Sequence, residues 1–263
     1  MGAIMLDGGA IGAATRGVAL SALPILFLHG VGSDKSAWAP QLAHFGDRRP
    51  AIALDYPGYG ESSLRPDASR DDFAAAMFDA LDLLGIDRAH LCGLSLGGVV
   101  AIAMHHLAPH RCASLILADS FAVHPEGEAI YQRSVDASRA MPMRALAEAR
   151  APLLLGSAAS TELCSEIVET MAAIDPEAYR LGAAAVWLAD QRAQAAAVKA
   201  PTLILVGDED CITPPALSGV LASLIKGARF EVIARAGHLS NLEQPAAFNH
   251  AVDRFLSATK AEA

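Results

Sequence analysis

The run Gly93-Leu94-Ser95-Leu96-Gly97 constrains this chain more than any other stretch. It follows the apolar Ala89-His90-Leu91-Cys92 and precedes Gly98-Val99-Val100-Ala101-Ile102-Ala103-Met104, small apolar residues that suit a packed helix. The order is strand, sharp turn, helix. A serine at the tip of such a turn stands clear of the sheet with its hydroxyl presented, and the flanking glycines relieve the crowding of the turn. The N–H of Leu96 opens the next helix, so it lacks an intrahelical acceptor and points toward any oxyanion formed at Ser95.

Apolar runs alternate with helical segments along the rest of the chain, the pattern of an α/β fold with a mostly parallel, doubly wound sheet flanked by helices. Ile25-Leu26-Phe27-Leu28, Ala51-Ile52-Ala53-Leu54, the run before Ser95, Leu115-Ile116-Leu117-Ala118, Thr202-Leu203-Ile204-Leu205-Val206 and Phe230-Glu231-Val232-Ile233 read as strands. Ile4–Leu6 and Ile11–Ala14, split by Asp7-Gly8-Gly9, read as an edge hairpin. Ser69-Arg70-Asp71-Asp72 is a capping-box start, with Phe73, Met77, Leu81 and Leu84 following at helical spacing and Gly85 ending the helix. A last helix starts at Pro245 and carries Phe248, Val252 and Phe255 on one face.

Residues 121–198 break this rhythm. They are rich in alanine, arginine and glutamate, and Pro125, Pro142, Pro152 and Pro176 are expected to cut them into short helices. The stretch is far longer than one crossover needs. It reads as a helical cap inserted into a core made of residues 1–120 and 199–263.

A chain of 263 residues suits one such core with an insertion. The net charge of −9, without a basic cluster, argues against nucleic-acid and anionic-membrane partners. No apolar stretch reaches the roughly 18 residues of a bilayer span. The N-terminus has no basic region before an apolar one, and Leu6 stands where a myristoylation signal wants Ser or Thr. Cys92, Cys112, Cys164 and Cys211 form no C-x-x-C pair, so buried free thiols are expected, and packing roles for Cys92 and Cys211. A metal site is not indicated.

A serine hydroxyl needs a base, and the base needs an orienting carboxylate. In chain order these should follow Ser95 on loops leaving later strands. Gly207-Asp208-Glu209-Asp210-Cys211-Ile212-Thr213-Pro214 follows Val206, and Ala234-Arg235-Ala236-Gly237-His238 follows Ile233. Both loops leave carboxyl ends of strands, where an open α/β sheet binds its ligands. His238 is the base candidate among nine histidines; His105, His106, His110 and His250 fall on helices away from that edge. Asp210 is the preferred acid, with Asp208, Glu209 and Asp119 as rivals. His29-Gly30-Val31-Gly32 follows the first central strand. There the Val31 N–H would pair with the Leu96 N–H as an oxyanion hole, with His29 bracing the turn.

These motifs, with Asp55-Tyr56-Pro57-Gly58-Tyr59-Gly60-Glu61-Ser62, resemble the α/β-hydrolase family over nearly the whole chain. Gly237-His238-Leu239-Ser240-Asn241-Leu242-Glu243-Gln244-Pro245 is similar to the enol-lactone hydrolases of 3-oxoadipate metabolism. The resemblance implies a cofactor-free, cytoplasmic enzyme acting on a small-molecule ester or lactone, and it favours Asp210 over Asp208 as the acid. Those lactonases often carry an arginine within the turn matching Tyr56–Gly60, and this chain has none. Leu239 stands where carbon–carbon hydrolases of ring-cleavage products often carry tryptophan. Ser95 replaces the aspartate nucleophile of haloalkane dehalogenases.

The expected activity is a serine esterase or lactonase working through an acyl-serine. Carbon–carbon hydrolysis, cofactor-free perhydrolysis and a non-catalytic binding module are the alternatives. Substrate choice is expected to lie in the cap, where Trp187 and Tyr131 would line an apolar pocket. Arg133, Arg139 or Arg144 would meet any substrate carboxylate.

Overall fold

The computed structural model describes residues 2–6, 8–17 and 22–260. Eight strands among them form one sheet: β1 (Gly2–Leu6), β2 (Gly9–Arg16), β3 (Ile25–Leu28), β4 (Ala51–Leu54), β5 (Ala89–Leu94), β6 (Cys112–Ala118), β7 (Thr202–Gly207) and β8 (Arg229–Ile233). Their spatial order is β1-β2-β4-β3-β5-β6-β7-β8. The two contacts of β2 are antiparallel and every other pairing is parallel. The edge hairpin forms with Ile4 opposite Ile11; Asp7, in its expected turn, lies outside the described residues.

The central strands β3, β4, β5, β6 and β7 are buried throughout. Side chains alternate across a strand, so one apolar run must feed two cores. Leu26 and Leu28 of β3 join one core, whereas Ile25 and Phe27 join the other. The first core packs under α2 (Arg70–Leu83) and α3 (Leu96–Leu107); the second packs under α1 (Ala39–Phe45) and the C-terminal helix. Ser69 caps α2 with both arms of the capping box present, and Gly85 closes it at φ 68°. Phe73, Met77 and Leu81 of α2 are buried, while Leu84 at its end is partly exposed.

Between β6 and β7 lie α4 (Gly127–Ala140), α5 (Met143–Leu154), α6 (Thr161–Ala172), α7 (Pro176–Trp187) and α8 (Arg192–Ala196). Pro142 and Pro176 stand at helix starts, and Asp175 caps α7 through its carboxylate. Pro152 does not cut the chain as the sequence suggests. It sits inside the last turn of α5, where only its own missing N–H is lost and the helix ends two residues later. The chain returns through β7, α9 (Pro215–Leu224), β8, α10 (Ser240–Glu243) and α11 (Pro245–Lys260). Phe248, Val252 and Phe255 of α11 are buried on one face. No helix among the described residues is long and apolar enough to cross a membrane.

This topology positions the site. β3 connects to a neighbour on one side and β4 crosses back to β5 on the other, so the crevice opens between the carboxyl ends of β3 and β5. The turn at Gly30 and Ser95 flank that crevice.

Candidate active site

Ser95 joins β5 to α3 with φ 56° and ψ −113°, a strained left-handed conformation for a residue with a side chain. Two glycines permit it by close approach. A Cβ on Gly93 would lie 2.1 Å from the Gly97 carbonyl oxygen, and one on Gly97 would lie 2.0 Å from the Leu28 carbonyl oxygen. The turn is locked by the Ser95 N–H to the Ala118 carbonyl (2.9 Å) and by the Ser120 hydroxyl to the Ser95 carbonyl (2.9 Å).

His238 follows β8 and is 4% exposed. Its Nδ1–H donates to Asp210 Oδ2 at 2.9 Å. Asp210 is filled on all sides. Its Oδ1 accepts from the N–H groups of Ile212 (2.8 Å) and Thr213 (2.9 Å), and its Oδ2 also accepts from Thr213 Oγ1 (2.6 Å). Burial works against the Asp210 charge, but the His238 cation and these donors outweigh it and hold the carboxyl below its ordinary range. Burial likewise pushes the imidazole down, and the Asp210 charge and hydrogen bond reverse this, leaving His238 above its ordinary value.

Ser95 and His238 line one chamber with Gly30, Val31, Leu154 and Met171. Among the described residues the Ser95 hydroxyl makes no hydrogen bond to the ring; that contact is open while the His238–Asp210 contact is closed, as resting sites often are. Leu96 is the first residue of α3. Val31 is buried beside Ser95 at the chamber wall. His29 braces the turn between them. Its Nδ1–H donates to the Gly30 carbonyl (2.8 Å), and its Nε2 accepts the Tyr56 N–H (3.4 Å). Burial pushes the ring below its ordinary pKa, which suits this neutral tautomer.

Of the rival acids, Asp208 accepts from the Ala236 N–H and Glu209 holds Ser157, between α5 and α6; neither bonds His238. Asp119 is fully buried at φ 48° and takes the Gly207 N–H (2.8 Å) and the Ser240 hydroxyl. Burial, together with the nearby Asp210 charge, pushes its carboxyl up to about 8. Asp119 thus braces the β7 and β8 loops from beneath, while Asp210 meets the ring.

Trp187 lines the chamber and a second, wider groove beside it. Tyr131 lies outside both. On α4 the groove takes Ile130, Arg133, Ser134 and Ala137, a stripe at helical spacing, and Tyr131 is turned about 100° from Ile130, packing partly buried against the core. Arg144 pairs with Glu169 in solvent, and Arg133 reaches the groove, 4.0 Å from Glu126. The arginine that lines the chamber is Arg150, which the sequence did not single out. Cys92 and Cys112 are buried as expected. Cys211 is not: it rides on the rim turn after β7, exposed, with Sγ 3.2 Å from the Leu153 carbonyl oxygen. Thr213 and Glu243, which the sequence did not mark, also hold the site together. Both lie within quoted motifs; Thr213 bonds the nearby Asp210 but also the distant Asp119 carbonyl, and Glu243 bonds the nearby Gly237 and Leu239 but also the distant Gly156. Among the described residues no three His, Cys, Asp or Glu side chains cluster as a metal site.

Residues 25–251 match the model of the alpha/beta hydrolase family. The chain belongs to that family, and it is a hydrolase. This alpha/beta hydrolase is 31% identical over 237 residues to 3-oxoadipate enol-lactonase 2 of Acinetobacter baylyi, covering 87% of this chain and 86% of that one. Its structure is similar to an enol-lactonase from Burkholderia xenovorans, with a TM-score of 0.91, 27% identity, and coverage of 97% and 100% of the two chains. It is also similar to a thermophilic esterase from Thermogutta terrifontis, with a TM-score of 0.89, 29% identity, and 98% of each chain covered.

Proposed function

We propose that this hydrolase cleaves a small carboxylic ester or lactone through an acyl-serine. One observation carries the reading: a strained serine turn shares a single chamber with a buried imidazole that is bonded to a carboxylate. With Nδ1–H held by Asp210, a neutral His238 offers Nε2 as a base. It takes the Ser95 proton as Oγ attacks the carbonyl carbon. The tetrahedral oxyanion lies between the N–H groups of Val31 and Leu96, each such donor contributing about 3 kcal/mol to the transition state. The ring then gives its proton to the alcohol oxygen as that bond breaks, and water repeats the sequence on the acyl group. Asp210 stays ionised throughout and stabilises the imidazolium. The relatives named enol-lactonase and the esterase neighbour support this substrate range.

The test is covalent. A fluorophosphonate probe should label the wild-type protein at Ser95, and Ser95→Ala should fold, resist labelling and lose at least a thousandfold in ester turnover. Undiminished turnover by Ser95→Ala removes the reading.

A further inference from the structure

The chamber at Ser95 and the neighbouring groove differ greatly in size. The chamber holds about 30 Å³ of free space and the groove about 770 Å³. Since one water needs roughly 10–15 Å³ on this scale, the chamber admits only a few heavy atoms. The bulk of any larger substrate must lie outside it. The two spaces adjoin: Arg150, Trp187 and Ile212 line both.

The groove is mostly apolar, with His124, Glu126, Arg133 and Arg150 as its charged or titratable lining. Ile130, Met141, Leu146, Leu153 and Leu217 line it, and Leu153 is 56% exposed. Ser134 lines it too, 2% exposed, with a hydroxyl that has no hydrogen-bond partner within the protein. Such an orphan favours a ligand with one polar atom.

The walls also fix which half of the substrate lies where. Gly30, Val31 and Gly32, the turn on the oxyanion side, line the chamber and not the groove. Cys211 and Pro214, from the loop that carries Asp210, belong to the groove alone. His238, which gives the leaving oxygen its proton, lines the chamber together with Ile212, the one residue of that loop shared with the groove, so the alcohol departs past Ile212 on the groove side.

Resting on the proposed acyl-serine reading, we propose that the substrate is a short-acyl ester of a bulky apolar alcohol. The acyl group occupies the chamber and the alcohol occupies the groove. In the first half-reaction the Ser95 Oγ–carbonyl bond forms, the carbonyl–alcohol bond breaks, and the serine proton passes through His238 to the alcohol. The alcohol leaves through the open groove while the short acyl group stays enclosed for attack by water.

Two ester series test this. Phenyl, 2-naphthyl and 4-biphenylyl acetate have leaving groups of similar acidity and increasing size. Phenyl acetate, butanoate and octanoate lengthen the acyl side. We expect kcat/KM to rise at least fivefold across the first series and to fall at least tenfold across the second. Ala149→Trp on α5 and Ala216→Trp on α9 each fill the groove from an exposed position. Each should lower the ratio of 4-biphenylyl to phenyl acetate kcat/KM at least fivefold. Faster turnover of longer acyl chains with no response to alcohol size overturns the assignment, as does an unchanged ratio in both variants. Failure of the folded wild type to hydrolyse phenyl acetate at all overturns the ester reading beneath it.

Discussion

The backbone N–H of His238 donates to the carbonyl oxygen of Leu154 at 2.8 Å, so the last turn of α5 holds the proposed base in place. Glu243 closes the same junction. Its Oε2 accepts from the Gly156 N–H (2.7 Å), and its Oε1 from the N–H groups of Gly237 (2.9 Å) and Leu239 (3.3 Å). Glu243→Ala would leave three half-buried donors unpaired, costing about 2–3 kcal/mol. We expect a lower midpoint in urea unfolding and a kcat at least tenfold down, with KM for phenyl acetate changed less than threefold.

The proposed base works only when neutral, so kcat/KM should rise with pH as His238 loses its proton. Asp210 holds the ring above its ordinary 6.5, and the midpoint of this limb should lie there too. Asp210→Asn removes the charge, should move the midpoint down, and should lower kcat by about 10³–10⁴-fold through loss of the correct tautomer. Arg150 pulls the opposite way, so Arg150→Gln should move the limb to higher pH. A pH–rate profile from pH 5 to 9 reads both shifts.

Thr213 Oγ1 lies 2.6 Å from Asp210 Oδ2 and 3.2 Å from His238 Nδ1. Thr213→Val keeps the shape and deletes one charge-assisted hydrogen bond, a change of about 1.5–3 kcal/mol. Single-turnover acylation should slow by about 10- to 100-fold, while the Ser95 turn, measured by fluorophosphonate labelling stoichiometry, remains competent.

Asp119 keeps its proton in the folded protein up to about 8, against an ordinary value of 3.8. Between those values the folded state binds more protons than the unfolded one, so stability falls as pH rises through this window. Asp119→Asn cannot ionise, yet it retains an acceptor for Gly207 and, like the protonated carboxyl, a donor for Ser240. The difference in Tm between variant and wild type should therefore grow in the variant's favour from pH 5 to pH 9, measured by thermal unfolding.

Glycines at Gly97 and Gly85 should respond differently to the same substitution. Gly97→Ala drives a methyl into the Leu28 backbone, and a central strand cannot retreat; the variant should lose more than about 4 kcal/mol or fail to fold. Gly85→Ala has φ 68° but open space, and should cost about 1–2 kcal/mol. Chemical denaturation compares the two.

The local pattern determined much of this molecule. Continuous apolar runs such as Ile25–Leu28 and the period of Phe73, Met77 and Leu81 specify strands and helices, because burial on two faces or on one stripe demands those sequences. Gly93–Gly97 specified the serine turn, since the residues that relieve its crowding are adjacent in the chain. Other features required the tertiary structure. Asp119 and Asp210 were both admissible as the acid until β6, β7 and β8 lay side by side, placing one carboxylate against the ring and the other beneath it. Arg150 was one arginine among several until the end of α5 docked on the His238 loop. The clamp of Glu243 joins residues 87 positions apart. Partners so distant carry no local signature, because the hydrogen bonds that select them exist only after the helices between β6 and β7 have folded onto the sheet.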